Sequence, residues 1–238
     1  MSGDEGPRAA GNLPKGIFIT GTDTGVGKTH VAAVLLRGLA ADGFRAIGMK
    51  PVATGAGPGE ARNADVTALT AAGNVAAPPE DINPFAFVPP IAPHLAASRA
   101  GIVIDLERIA AAYGRLAARA DIVVVEGAGG ALTPLSAHTD MLDIPARLGL
   151  PVLLVVGIRL GCLNHALLTA LAIGSRGLRL AGWVANRIDP AMYEPDASVG
   201  ELACRLPAPL IVDLPWQATA GITEPIRSAV RIGLGLPG

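Results

Sequence analysis

Gly21 to His30, GTDTGVGKTH, sets three glycines, a lysine and a threonine directly after the apolar run Ile17-Phe18-Ile19. Glycines let backbone N–H groups curl inward toward an anion, and a helix starting beside them adds a favourable dipole. The usual phosphate loop, G-x-x-x-x-G-K-[ST], spaces its two glycines five residues apart. Here Thr22 stands at that outer place and Gly21 lies one residue farther out. The extra residue changes the entrance of the loop, not its V-G-K-T core. Thr24, Gly25, Val26 and Gly27 supply backbone donors, Lys28 a mobile charge for the outer phosphates, and Thr29 a hydroxyl able to ligate Mg²⁺. The stretch reads as a nucleotide phosphate loop.

Two carboxylates suit the same site. Glu126 closes the β-branched run Ile122–Val125 and precedes Gly127-Ala128-Gly129-Gly130, where small residues let backbone approach a ligand. Asp65 follows the glycine-rich stretch Gly55 to Gly59 and reads either as a metal carboxylate or as a helix N-cap. The chain has 16 arginines but only three lysines, Lys15, Lys28 and Lys50. A compact ammonium fits where the planar arginine fork does not, which singles out Lys50 beside Lys28.

Such groups converge if the loops carrying them leave one edge of a parallel sheet. Apolar runs at 17–20, 45–49, 122–125, 152–156, 180–184 and 210–212 read as buried strands. Helical spacing occupies 30–41, 65–72, 105–118 and 163–175. Fully apolar strands separated by helices signal a parallel sheet covered on both faces. The expected fold is a three-layer α/β, P-loop NTPase-like architecture with a mostly parallel sheet of about six or seven strands. Residues 77–100 carry six prolines and read as a long functional loop. Residues 1 to about 15 read as a flexible extension, and 16–238 as a single domain.

Composition narrows the function class. A formal net charge of −1 and no block of like charges argue against nucleic acid or membrane partners. No run approaches the ~20 apolar residues of a membrane span. Two cysteines, Cys162 and Cys204, form no disulfide framework, and the expected location is cytoplasmic.

In order and spacing, GTDTGVGKT, KPVATG, EGAGG, LGCLNHALLT and GWVANR resemble the dethiobiotin synthetase family, and the likeness runs from residue 17 to about 216. The resemblance implies a homodimeric ligase that joins CO₂ to 7,8-diaminopelargonate. The amine captures CO₂ as a carbamate, the γ-phosphoryl of ATP activates it, and the second amine closes the ring. It further implies Lys28, Lys50 and Thr54 as catalytic groups, with Mg²⁺ held by Thr29, Asp65 and Glu126. Gly129 joins the nucleotide site, Asn186 reads the adenine edge, and Pro215 borders the base. The segment Gly161, Cys162, Leu163 and Asn164 matches the part that holds the substrate's tail carboxylate across the dimer interface, and Arg159 reads either as a substrate-side charge near the carbamate or as half of a surface ion pair. Asn83 to His94 matches the substrate-side loop.

Three positions depart from that pattern. Gly25 stands where many members carry glutamate, and Arg159 where lysine is common. Gln217-Ala218-Thr219 lacks an expected acidic residue near the base, which leaves the preferred nucleotide open. Other readings are a partner-regulated ATPase of the chromosome-partitioning kind and a non-catalytic nucleotide-binding paralogue. Against the first, Asp23 stands where those ATPases carry a second loop lysine. An amidotransferase ligase would need a glutaminase domain for which 238 residues leave no room.

Overall fold

A computed structural model describes residues 16–56 and 63–216. The reading of residues 1–15 as an extension, the far part of the Gly55–Gly59 stretch and Gln217-Ala218-Thr219 lie outside the described residues.

The apolar runs become strands, and all but the last, at one sheet edge, are buried on both faces over most of their length. They are β1 (Gly16–Gly21), β2 (Ala46–Met49), β5 (Ile122–Glu126), β6 (Val152–Ile158), β7 (Leu180–Arg187) and β8 (Leu210–Leu214). All neighbours pair in parallel, in the order β2-β5-β1-β6-β7-β8. Alternation along β1 divides the core. Ile17 and Ile19 pack beneath α1 (Lys28–Ala41) and α2 (Ala64–Ala72), whereas Phe18 faces α5 (Leu106–Arg119). Leu154 and Val156 of β6 pack with α7 (Cys162–Ser175) and α8 (Pro195–Arg205) on that second side. Helices thus cover both faces, as the strand pattern requires.

The expectation of one long loop over residues 77–100 is corrected. The segment holds α3 (Pro79–Ile82), β4 (Phe85–Phe87) and α4 (Pro93–Ala100). Pro79 and Pro93 sit in the first turn of their helices, where a missing N–H costs nothing. β4 pairs in parallel with β3 (Val52–Thr54), forming a separate two-stranded sheet. α6 (Asp143–Leu148) and α8 were not expected from the sequence. Among the described residues no helix is long and apolar enough to cross a membrane.

Candidate active site

Register alone brings the two candidate groups of the sheet edge together. Met49 of β2 pairs with Val125 of β5, so the next residues, Lys50 and Glu126, are neighbours at the carboxyl edge. The loop between β1 and α1 arches over the same edge. Gly27 precedes α1 with φ 91°, in the left-handed region. A Cβ there would meet Asn186 Nδ2 at 2.1 Å, so only glycine fits. The first turn of α1 has neither a side-chain cap nor an acidic residue, which leaves its N–H groups open to an anion.

Below the loop lies a cleft of about 770 Å³. Its lining brings together Thr24, Gly25, Gly27, Lys28, Thr29, Lys50, Thr54, Asp65, Glu126 and Gly129. Pro90 to Pro93 form one wall, and Thr133 and Pro134 form another part. No motif marked Thr133 or Pro134.

The charges in the cleft are arranged unequally. Lys50 is 3% exposed, and its Nζ lies 2.5 Å from Glu126 Oε1 and 2.8 Å from Asp65 Oδ2. Burial works to lower the pKa of Lys50, but Glu126 and then Asp65 outweigh it and hold it above its ordinary value. Burial works to raise Asp65, and Lys50 outweighs it, leaving the carboxyl below its ordinary value. Lys28 Nζ instead donates to the backbone carbonyl of Asp23 at 2.9 Å. Burial, then the neighbouring Lys50 ammonium, push its pKa from 10.5 down to about 8.

Asp65 is not the N-cap of α2. Asn63 holds that place and accepts from the Asp65 N–H at 2.9 Å, which frees the Asp65 carboxylate for the cleft. Asn63 also donates to the Thr54 carbonyl at 2.9 Å, tying β3 to α2. Glu126 is fully buried. Its Oε1 accepts from Thr29 Oγ1 at 2.8 Å, while Oε2 has no partner among the described residues. Among the described residues no three His, Cys, Asp or Glu side chains could cage a metal. Two carboxylates, one of them with an unpaired buried oxygen, and a hydroxyl do fit the way Mg²⁺ binds, through few protein oxygens with phosphates and water completing the shell.

The remaining expected residues lie outside the cleft lining. Asn186, half-buried in β7, donates from Nδ2 to the Val26 carbonyl at 2.8 Å, so it braces the loop. Pro215 follows β8 and is exposed. Arg159 Nη2 donates to Asp23 Oδ2 at 2.6 Å, an ion pair and not a cleft contact. Gly161 precedes α7 with φ 92°, again with no side-chain cap and no acid in the first turn. Cys162 is buried as a packed residue, Leu163 half-buried and Asn164 exposed.

The chain matches the AAA domain family over residues 15–221. It is 56% identical over 224 residues to the ATP-dependent dethiobiotin synthetase BioD of Nitrosospira multiformis, covering 93% of this chain and 98% of that one. The chain belongs to the dethiobiotin synthetase family. The synthetase of Aromatoleum aromaticum is 48% identical over 227 residues, covering 94% of this chain and 99% of its own length. Among solved structures, the MinD cell division protein of Aquifex aeolicus superposes with a TM-score of 0.59 at 18% identity, covering 94% of this chain and 98% of that one. The signal recognition particle receptor FtsY of Elizabethkingia anophelis gives 0.50 at 15% identity, covering 94% and 68%. These structural likenesses speak for the P-loop fold. High identity over nearly full length sets the synthetases apart from these structural neighbours.

Proposed function

We propose that this synthetase joins CO₂ to 7,8-diaminopelargonate at the expense of ATP, giving dethiobiotin, ADP and phosphate, in a cytoplasmic homodimer. The observation that carries the reading is the pair of buried lysines facing one cleft beneath the loop, in a chain 56% identical to a named synthetase. An anionic nucleotide tail facing an anionic carbamate needs cations between the two, or the reactants repel.

The residues divide that work. The loop N–H groups and the open N-terminus of α1 hold the phosphates, and Lys28 moves from the Asp23 carbonyl onto the outer ones. Lys50, fixed by Asp65 and Glu126, holds the carbamate oxygen in line with the γ-phosphoryl. The Thr54 hydroxyl, exposed to the cleft, orients the same group. Thr29, Asp65 and Glu126 would hold Mg²⁺, which when bound neutralises charge on the transferred phosphoryl. Pro90 to Pro93 shield the reacting end from water. Asn186, with one amide hydrogen on Val26, keeps a second hydrogen and its oxygen for a base edge, and Pro215 lies beside it in the base pocket.

The uncapped N-terminus of α7, Gly161 to Asn164, suits the carboxylate tail of the diamine. Support for its use across a dimer comes from Leu160, Leu168 and Leu171, which stand 92%, 57% and 70% exposed along this element. The test is phosphate release from Mg·ATP, with the diamine and bicarbonate each added or withheld. Release that requires both, with one dethiobiotin per phosphate, is the expected result. Release indifferent to the diamine would overturn the reading.

A further inference from the structure

Both carboxylate oxygens and the backbone carbonyl of Asp23 accept hydrogen bonds. Its Oδ1 accepts from the Thr24 N–H at 2.7 Å. Its Oδ2 accepts from Arg159 Nη2 at 2.6 Å, and its backbone carbonyl accepts from Lys28 Nζ at 2.9 Å. Arg159 lies in the turn between β6 and α7, and its own carbonyl accepts from the Cys162 N–H at 3.0 Å, at the first turn of α7. Next to this pair, Thr22 N–H bonds the Val155 carbonyl at 3.0 Å. One hub therefore touches the phosphate lysine, the loop backbone and the turn that starts α7.

We propose that the Asp23–Arg159 pair is a strap that couples nucleotide occupancy of the phosphate loop to the N-terminus of α7, which makes both side chains positioning residues for the diamine. The strap has two arrangements. In one, Lys28 rests on the Asp23 carbonyl, as here. In the other, phosphate has drawn Lys28 away and released that carbonyl. The 23–24 peptide then relaxes, and the carboxylate, held at both oxygens, carries Arg159 and the α7 turn with it. Coupling requires such a two-state element touched by both ligands. The pair is half-exposed, with side chains 40% and 47% accessible, so it adds little to folding. A role in coupling accounts for its bidirectional contacts better than one in stability.

The inference rests on α7 holding the diamine's carboxylate. In a dimer whose α7 closes the neighbouring cleft, the strap joins the phosphate loop of one site to the carboxylate end of the other. By reciprocity, the diamine must tighten nucleotide binding by the same factor that nucleotide tightens the diamine.

The experiment is calorimetric titration of the full chain with Mg·ADP, without and with saturating 7,8-diaminopelargonate, in the wild type, R159A, R159K, D23N and the double variant D23N/R159A. The ratio of the two dissociation constants reads the coupling and cancels any direct effect on nucleotide affinity. The expected wild-type ratio is about fivefold or more, falling toward one in R159A and D23N with no further loss in the double variant. R159K, which keeps charge but not the fork, recovers part of the ratio. A wild-type ratio of one, or an R159A ratio equal to wild type with only a lowered Tm, would overturn the strap. Failure of the diamine to bind the wild type at all would instead strike the underlying substrate reading, and the strap with it.

Discussion

Lys28 should give nucleotide binding a pH dependence that can be worked out in advance. In the ligand-free protein its pKa lies at about 8, against an ordinary 10.5, because it is buried beside Lys50. Bound phosphates favour the ammonium and return the pKa toward its ordinary value. Nucleotide then binds the protonated form, and affinity falls as pH rises through 8. Taking the bound value as about 10.5, the dissociation constant rises roughly 25-fold between about pH 7 and about pH 9.5. Nucleotide phosphates, with a last pKa of about 6, are fully ionised across that window. Binding at about pH 9 should take up about 0.9 proton, readable by calorimetry in buffers of different ionisation enthalpy. The same shift has the opposite sign for folding. The folded chain sheds this proton before the unfolded one, so the group's contribution to ligand-free stability rises between about pH 8 and about pH 10.5. K28M should bind nucleotide weakly and without the slope. A wild-type affinity that changes less than about threefold across the window, or a slope retained in K28M, would refute the reasoning.

Other substitutions test the neighbours. Lys50, wedged 2.5 Å from Glu126 and 2.8 Å from Asp65, has no space for a guanidinium. K50R should lower turnover about 100-fold or more in the phosphate-release assay despite keeping its charge, and near-normal turnover would mean that charge alone suffices. Gly27 has φ 91° and would bring a Cβ to 2.1 Å from Asn186 Nδ2. G27A should therefore weaken nucleotide binding at least about tenfold, part of which returns in G27A/N186A as the clash is relieved while the strain stays. Unaltered binding by G27A would show the loop to be far more pliant than this packing implies. N186A should change the ranking of ATP, CTP and GTP in turnover assays more than the maximal rate with ATP. An unchanged ranking places base reading elsewhere.

The sheet was legible because β-branched runs buried on both faces leave few alternatives, and the loop because glycine, lysine and threonine at fixed spacing leave almost none. What sequence could not show is adjacency. Lys50 and Glu126 meet only because β5, far along the chain, inserts between β1 and β2. The helices of the proline-rich segment are hidden in the sequence because proline interrupts helical patterns everywhere except the first turn, where Pro79 and Pro93 stand. For α8 the obstacle was Pro195 at its first position after Glu194 in a left-handed conformation, φ 53°. Near Asp65 the sequence carries a local signal: Asn63, two residues earlier, is as good a capping side chain and leaves Asp65 inside the first turn. Asp23 gave no signal, since its contact with Arg159 is made across β1 and β6.

The two lysines that stand out in the composition prove to be different instruments. Lys50 is pinned by two carboxylates, and its raised pKa keeps it charged throughout the working range. An ammonium fixed in that way meets developing charge without reorganising, which is where electrostatic stabilisation is most effective. Lys28 is held by a single backbone carbonyl, and its lowered pKa leaves its charge poorly compensated until phosphate arrives. It is therefore free to move and gains most from an anion. With Asp65 and Glu126 the four groups sum to zero, so the cleft tolerates burial while empty. The asymmetry follows from placement: Lys50 follows directly on a strand and sits between two carboxylates, whereas Lys28 opens a helix whose first turn carries no acid. On the proposed function, a fixed charge at the reacting end and a mobile one at the phosphate suit a phosphoryl transfer to a small anionic acceptor, and the planar fork of arginine matches neither place.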